Sequence, residues 1–199
     1  KAGCERAVLT TFGADRSVVL RPGVILGPGE YVGRMAWWLA RLRRGGAVLA
    51  PESPTRTVQP VDVRDVAAFA LIAQAGVFNV TAPGTDTFGG FLDACAVAAP
   101  APSGTRLMWV PADTLIAHGV HQWTELPLWR SYPGAWAVDA TRARASGLRT
   151  RPLADTVSDT AAWLSGGGQT VASDRAAELG IGEDKEAAIV AAVEDSALG

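Results

Sequence analysis

Short apolar runs and helical stripes alternate along the chain with turn residues. Residues 1–13 set Ala2, Ala7, Val8, Leu9 and Phe12 among charges, the latter part of a helix that Gly13 ends. The run 17–23 (SVVLRPG) is β-branched and stopped by Pro22 and Gly23, so it reads as a short buried strand, and 24–29 (VILGPG) as turn chemistry. Residues 30–46 read as a helix with Met35, Trp38, Leu39 and Leu42 on one stripe, halted by Gly45 and Gly46. Residues 56–63 read as extended, and Asp62 is placed to cap a helix running to Gly76. A strand over 77–82, a helix from about Thr87, a strand over 106–111 and a short helix over 112–118 follow. Residues 119–138 are irregular. Asp139 then caps a helix ended by Gly147, and Asp155 or Thr156 opens another that places Val157, Thr160, Ala161 and Leu164 on one face. SGGGQT, 165–170, is a linker, followed by a short helix near 174–179 and a closing one from about 183. Ile189, Val190 and Val193 share a side of that last helix, which predicts docking, a second copy of the chain being one surface open to it.

Strands alternating with helices predict an α/β fold with a mainly parallel sheet. The first strand and glycine-rich turn expected of such a fold are not in the sequence. The chain has 199 residues, 48% hydrophobic, with 18 Lys+Arg against 20 Asp+Glu, which excludes a disordered chain and gives no global attraction to nucleic acid or an anionic membrane. Every hydrophobic run is broken well short of the roughly 18–20 residues that span a bilayer. Cys4 and Cys95 cannot form a disulfide framework or a zinc site, so a reducing, cytoplasmic setting is expected. The chain opens on Lys1 in what reads as mid-helix, without a signal-peptide layout, and is expected to start partway through a longer protein.

Few motifs carry chemistry. GPGEYVG, 27–33, misses the dinucleotide fingerprint by one residue and reads as a turn. His118 and His121 lack a completed ligand set, so no metal is expected, and there is no Gly-x-Ser-x-Gly elbow. Arg34, Trp37, Arg41 and Arg44 fall on one helical stripe, either a solvated face with arginines over the indole or a pocket wall in which Trp37 packs on an apolar substrate and an arginine meets its anionic group. Seven tryptophans against two tyrosines is a strong bias. Those in 119–138, Trp123 and Trp129 among them, mark a candidate substrate lid.

The order of segments is similar to the extended short-chain dehydrogenase/reductases, the NAD-dependent epimerases and dehydratases. K-A-G-C-E-R-A-V, 1–8, resembles the lysine half of that family's Tyr-x-x-x-Lys helix, and VVLRPGVILGPG, 18–29, the strand and loop that follow it. VQPVDVRDVAAFAL, 58–71, resembles its "hVDDvA" segment, with Arg64 where many members have Asp. GVFNVTAPGTDTFGGFL, 76–92, resembles its last sheet strand, and DATRARASGLRTRPLADTV, 139–157, its terminal helix pair. The similarity spans about 1–165; the family's nucleotide loop, catalytic Ser/Thr and Tyr are not in this sequence. The resemblance implies the C-terminal part of a doubly wound, Rossmann-type parallel sheet (1–23 and 56–81) plus a small α/β substrate domain (24–55 and 82–165), with 166–199 a linker and helical tail. It implies NAD or NADP, held mainly by an N-terminal nucleotide-binding segment or chain. Lys1 is then the catalytic lysine, lowering the pKa of a tyrosine supplied by that segment. Pro22, Gly23 and Val24 lie against the nicotinamide, and Arg34, Trp37, Trp123 and Trp129 meet a small-molecule substrate that is apolar or aromatic. The implied activity is hydride transfer on a carbonyl or alcohol carbon by an oxidoreductase or epimerase, this chain alone being inactive. A binding or cyclase-like protein without redox chemistry, or one chain of a split or nicked enzyme, are the competing readings.

Overall fold

Residues 1–198 are described by the computed structural model. In chain order they form α1 (Ala2–Phe12), β1 (Val18–Pro22), β2 (Ile25–Leu26), α2 (Arg34–Arg44), β3 (Ala47–Pro51), β4 (Val61–Asp62), α3 (Val63–Ile72), β5 (Gly76–Val80), α4 (Phe88–Ala98), β6 (Arg106–Val110), α5 (Ala112–Ala117), α6 (Thr141–Ala145), α7 (Leu153–Ser165), α8 (Asp174–Ala177) and α9 (Glu183–Leu198). The strands make three parallel pairs, β1 with β5, β2 with β4 and β3 with β6. Parallel neighbours need a crossover between them, which is why helices intervene in each connection. In register, Val18 lies opposite Gly76 and Pro22 opposite Val80 in the first pair, and Ala47 opposite Arg106 and Pro51 opposite Val110 in the third. The α/β class and parallel pairing expected from the hydrophobic pattern are therefore present.

Local chemistry accounts for the ends of these elements. Asp62 caps α3 by accepting from Arg64 N at 2.8 Å, and Thr87 caps α4 by accepting from Gly90 N at 3.1 Å. Gly13 and Gly45, at φ 85° and 79°, stop α1 and α2 in a region closed to most side chains. Boundaries differ from the pattern where a polar cap or a tertiary contact overrides it. Helix α2 starts at Arg34 rather than Glu30, because 27–33 turns through three positive-φ glycines. Inside the expected 24–29 turn, Ile25 and Leu26 pair with Val61 and Asp62. Helix α3 ends at Ile72, short of Gly76. Asp139 accepts from Thr141 N at 2.8 Å but lies one residue outside the helical cap, and α7 opens at Leu153, after Pro152. The pattern assigns nothing to 47–55, yet β3 is there, four of its five residues buried.

Two cores result. The larger takes the predicted stripe of α2, with Met35, Trp38, Leu39 and Leu42 at most 5% exposed, and packs Trp38 edge-on against Phe88 at 5.6 Å. Trp38 Nε1–H donates to Pro127 O at 2.8 Å, so its one polar atom is satisfied. The smaller holds Phe69, Phe78 and Val80 with Ala143 and Leu148. Residues 143 and 148, placed by sequence in the substrate unit, thus return to the β1–β5 unit.

The tail is no detached appendage. Ile181 and Ile189 are buried in the larger core, so the apolar side of α9 docks on its own chain rather than needing a second copy. The anchor is ionic. Arg41, expected on an open basic stripe, is instead buried, its Nε donating to both oxygens of Glu186 at 2.8–2.9 Å and its terminal nitrogens to Gly45 O and Ala47 O. Glu186 also accepts from Leu49 N at 3.1 Å and Arg44 Nη2 at 2.9 Å. That stripe is therefore not a solvated face at Arg41, whereas Arg44 stays exposed and reaches Glu186 and Glu183 from the surface. Removing one partner of such a buried pair strands the other charge, so Glu186→Ala is expected to cost about 3–5 kcal/mol in urea unfolding, whereas Glu183→Ala, whose carboxylate is exposed, costs at most about 1 kcal/mol.

Candidate functional site

In parallel α/β folds the carboxyl ends of strands open onto a crevice, and here β1 and β2 end on a cleft of about 410 Å³. Lys1, Pro22, Gly23, Val24, Glu30, Tyr31, Arg34, Trp123 and Arg175 are among its lining residues. Gly23 N donates to Val80 O at 2.9 Å, and Val61 N to Val24 O at 2.8 Å, which fixes the wall between the first two strand pairs. A Cβ on Gly23 would stand 2.8 Å from Thr81 Oγ1, and that hydroxyl donates to Gln59 O at 2.6 Å. Glycine is thus required at 23 by packing against Thr81.

The far wall is the start of α2. Its N-cap position is Gly33, which has no side chain to offer the free N–H groups of the first turn. Glu30 takes that role. Its Oε1 accepts from Arg34 N at 3.0 Å and from Arg34 Nη1 at 3.2 Å, and its Oε2 from Met35 N at 3.0 Å. Burial pushes the Glu30 carboxyl above its ordinary value of 4.5, and those donors only partly offset the effect. Arg34 Nε, by contrast, is buried with no partner among the described residues.

Over this arginine lies Trp123. The Arg34 guanidinium carbon is 4.9 Å from the indole centroid and that of Arg130 is 4.6 Å, both within cation–π range. Trp123 has φ +75°, a conformation that costs a bulky residue on the order of 1–3 kcal/mol and is held by its surroundings. Gly27, in the lining, lies against Val63 and the Asp62 carboxylate, which is itself outside the lining. Burial raises the Asp62 pKa, but the Arg64 guanidinium and N–H outweigh it and hold the group below the ordinary carboxylate range.

Of the residues singled out from sequence, Lys1, Pro22, Gly23, Val24, Arg34 and Trp123 meet in this one cleft, from four separate places along the chain. Two do not. Trp37 is half-buried, edge-on to Trp38 at 4.7 Å and against Gly180. Trp129 is 1% exposed in the larger core and donates from Nε1 to Glu52 at 2.9 Å. Glu30, Tyr31 and Arg175 were missed by sequence reasoning. Glu30 carried a signal, an acidic residue just ahead of a helix whose cap is glycine; Arg175 carried none.

No family model and no curated protein matches the chain. Solved structures do. The chain is similar to the Bordetella bronchiseptica enzyme WbmG in complex with NAD and UDP, at 18% identity and TM-score 0.57, over 77% of this chain and 46% of that one. For UDP-glucose 4-epimerase from Thermotoga maritima with UDP-glucose the figures are 16%, 0.59, 83% and 50%. For RMD from Pseudomonas aeruginosa complexed with NADPH they are 16%, 0.53, 82% and 52%. The shared fold is Rossmann-type. It is the fold that the sequence resemblance implied, and the chain spans about half the length of the structures it matches.

Glu30 gives a pH test of the cleft wall. Its folded-state pKa is raised, so the folded chain binds its proton more tightly than the unfolded one. The stability this adds is complete below 4.5 and is lost as pH rises through the folded value. Glu30→Gln removes that dependence. Urea unfolding from pH 4 upward is expected to show the variant gaining on the parent as pH rises; a constant difference would contradict the burial of an ionisable group there.

Proposed function

We propose that this chain is the C-terminal portion of an NAD(P)-dependent oxidoreductase or epimerase that transfers hydride to or from a carbonyl or alcohol carbon. The observation that carries the reading is the meeting of Lys1, the Pro22–Val24 backbone, Arg34 and Trp123 in one cleft at the strand ends. Its support from outside is the fold, shared with structures solved in complex with NAD, NADPH and UDP-glucose. An exposed surface agrees with a missing portion: α1 buries none of its residues, and Phe12, Val18, Leu71 and Ile72 stand 40–89% exposed around β1 and α3.

The residues present fit the nicotinamide end of such a cofactor. Lys1 is exposed at the cleft and has no hydrogen bond or ion pair from its side chain among the described residues, leaving its ammonium free for a ribose hydroxyl. The main chain of Pro22, Gly23 and Val24 lines the wall that the nicotinamide ring would approach. When bound, the cofactor supplies the hydride. Lys1 holds the ribose and, by its charge, favours the ionised form of a phenol brought by a preceding segment, readying that phenol for proton transfer. Trp123 orients an apolar or aromatic body at the opposite wall and excludes water there.

Reduced nicotinamide mononucleotide tests the reading on this chain without a nucleotide loop. Backbone NMR shifts are expected at Gly23 and Val24, with binding weakened at least about fivefold by Lys1→Ala and left within about twofold by Trp129→Ala, a core position. Shifts that spare 22–24, or a Lys1→Ala variant that binds equally well, would overturn it.

A further inference from the structure

Beyond the 166–168 glycines the chain doubles back across the cleft instead of leaving the molecule. Thr170 packs against Gly33 at the start of α2, and Trp37 packs against Gly180. Gly180 N donates to Thr124 O at 2.9 Å, one residue from Trp123. Lys185 Nζ then donates to Gly119 O and to both oxygens of Glu125 at 2.7–2.9 Å, and the buried Glu186 follows at once. The segment 170–182 is therefore a strap fixed at both ends, to the helix and to the irregular stretch that form the substrate wall.

Between those attachments α8 brings Arg175 into the cleft lining. Arg175 is exposed and makes no hydrogen bond or ion pair among the described residues. Electrostatically the lining is one-sided. Lys1, Arg34 and Arg175 carry positive charge, and Glu30, the carboxylate among them, is already occupied by the first turn of α2 and by Arg34. Arg34 meanwhile keeps Nε buried without an acceptor. Arg175, with its donors unused, and Arg34, whose guanidinium lies over the Trp123 indole, share one lining and describe a site for a flat apolar body bearing an anion, since guanidinium donors match the two oxygens of a carboxylate or phosphate.

We propose that the strap 170–182 belongs to the ligand site and that Arg175, with Arg34, binds an anionic group on a substrate whose apolar or aromatic body lies against Trp123. This rests on reading the cleft as the substrate site, and it narrows the substrate class to aromatic or apolar anions. Arg175 is then a specificity-determining residue supplied by a segment outside the part of the sequence that resembles the enzyme family.

The probes are 2-naphthoate and 2-naphthalenemethanol, equal in ring and differing in charge, titrated into the 199-residue chain at low salt. Naphthoate is expected to bind about tenfold more tightly than the alcohol. Arg175→Ala should remove that preference, lowering naphthoate affinity about tenfold while moving the alcohol less than about twofold, and Arg175→Lys should restore part of it. Because Arg175 is exposed, its variants are expected to keep the parent's melting temperature. Trp123→Ala should weaken both ligands. If Trp123→Ala weakens both but Arg175→Ala spares naphthoate, the strap proposal is overturned and the cleft reading stands. If neither ligand binds, or Trp123→Ala changes neither, the cleft reading falls and the proposal with it.

Discussion

The carboxylate of Glu186 joins three parts of the chain that have no covalent reason to stay together. Its oxygens receive the Nε of Arg41 from α2, the terminal nitrogen of Arg44 and the backbone N–H of Leu49 in β3. Each of these donors is buried or partly buried, where an unmatched donor or charge costs far more than at the surface. Arg41 in turn reaches Gly45 O and Ala47 O, so the turn from helix to strand is stitched by the same guanidinium. Loss of this one ion pair would strand the Arg41 guanidinium at the end of α2 and leave the tail to its remaining anchors, Ile181, Ile189 and Lys185. The cleft depends on it at one remove, because α2 carries Arg34 into the wall and α9 anchors the strap that carries Arg175.

Positive charge in the cleft follows from how α2 begins. A glycine N-cap leaves the first-turn N–H groups to be satisfied from elsewhere, and Glu30 is drawn in for that purpose. Its negative charge is thereby neutralised locally, by two N–H groups and by part of Arg34. What remains facing the cavity is cationic and aromatic: the rest of Arg34, Lys1, Arg175 and the Trp123 face. Structural demand at the helix end and chemical character at the cleft are thus one arrangement, and the unpartnered Nε of Arg34 marks where the protein's own hydrogen bonding stops short.

Much of the scaffold was legible in the sequence because its signals are local. The apolar stripe on α2 marked the larger core, Asp62 announced the start of α3 by side-chain chemistry, the start of α4 was placed near Thr87, and Pro22 with Gly23 marked the end of β1. Strand β3 was not legible. Three of its five residues are alanine or proline, so it has little β-branched character and owes its existence to pairing with β6 across more than fifty residues of chain. Arg41 was misplaced for a related reason. Helical spacing puts it beside Arg34 and Arg44, but its burial is decided by a carboxylate 145 positions away. Trp37 and Trp129 were indistinguishable from Trp123 by composition or by their setting among arginines or bends. Only tertiary structure assigns one indole to the cleft, one to a strap contact and one to the core.

The two cores are unequal, and the inequality bears on the proposal that the chain is a portion of a longer enzyme. The β1–β5 pair rests on five buried apolar residues, while the larger core draws on all of β3, α2, α4, α7 and the tail. Parallel strands are ordinarily covered on both faces and flanked by further strands. Here Val18 in β1 stands 40% exposed, and the neighbouring helix α1 touches the strand through the exposed Arg21–Glu5 ion pair rather than through a packed apolar face. Such a helix gains little from tertiary burial, and isolated helices of its length are marginal in water. The surface around α1, β1 and the end of α3 therefore has the character of an interior face, apolar at Phe12, Leu71 and Ile72, and further strands and helices laid against it would turn a two-stranded pair into a covered sheet. Those added elements would adjoin the cleft on the side of Lys1, which is where the proposed chemistry needs a phenol and a nucleotide loop.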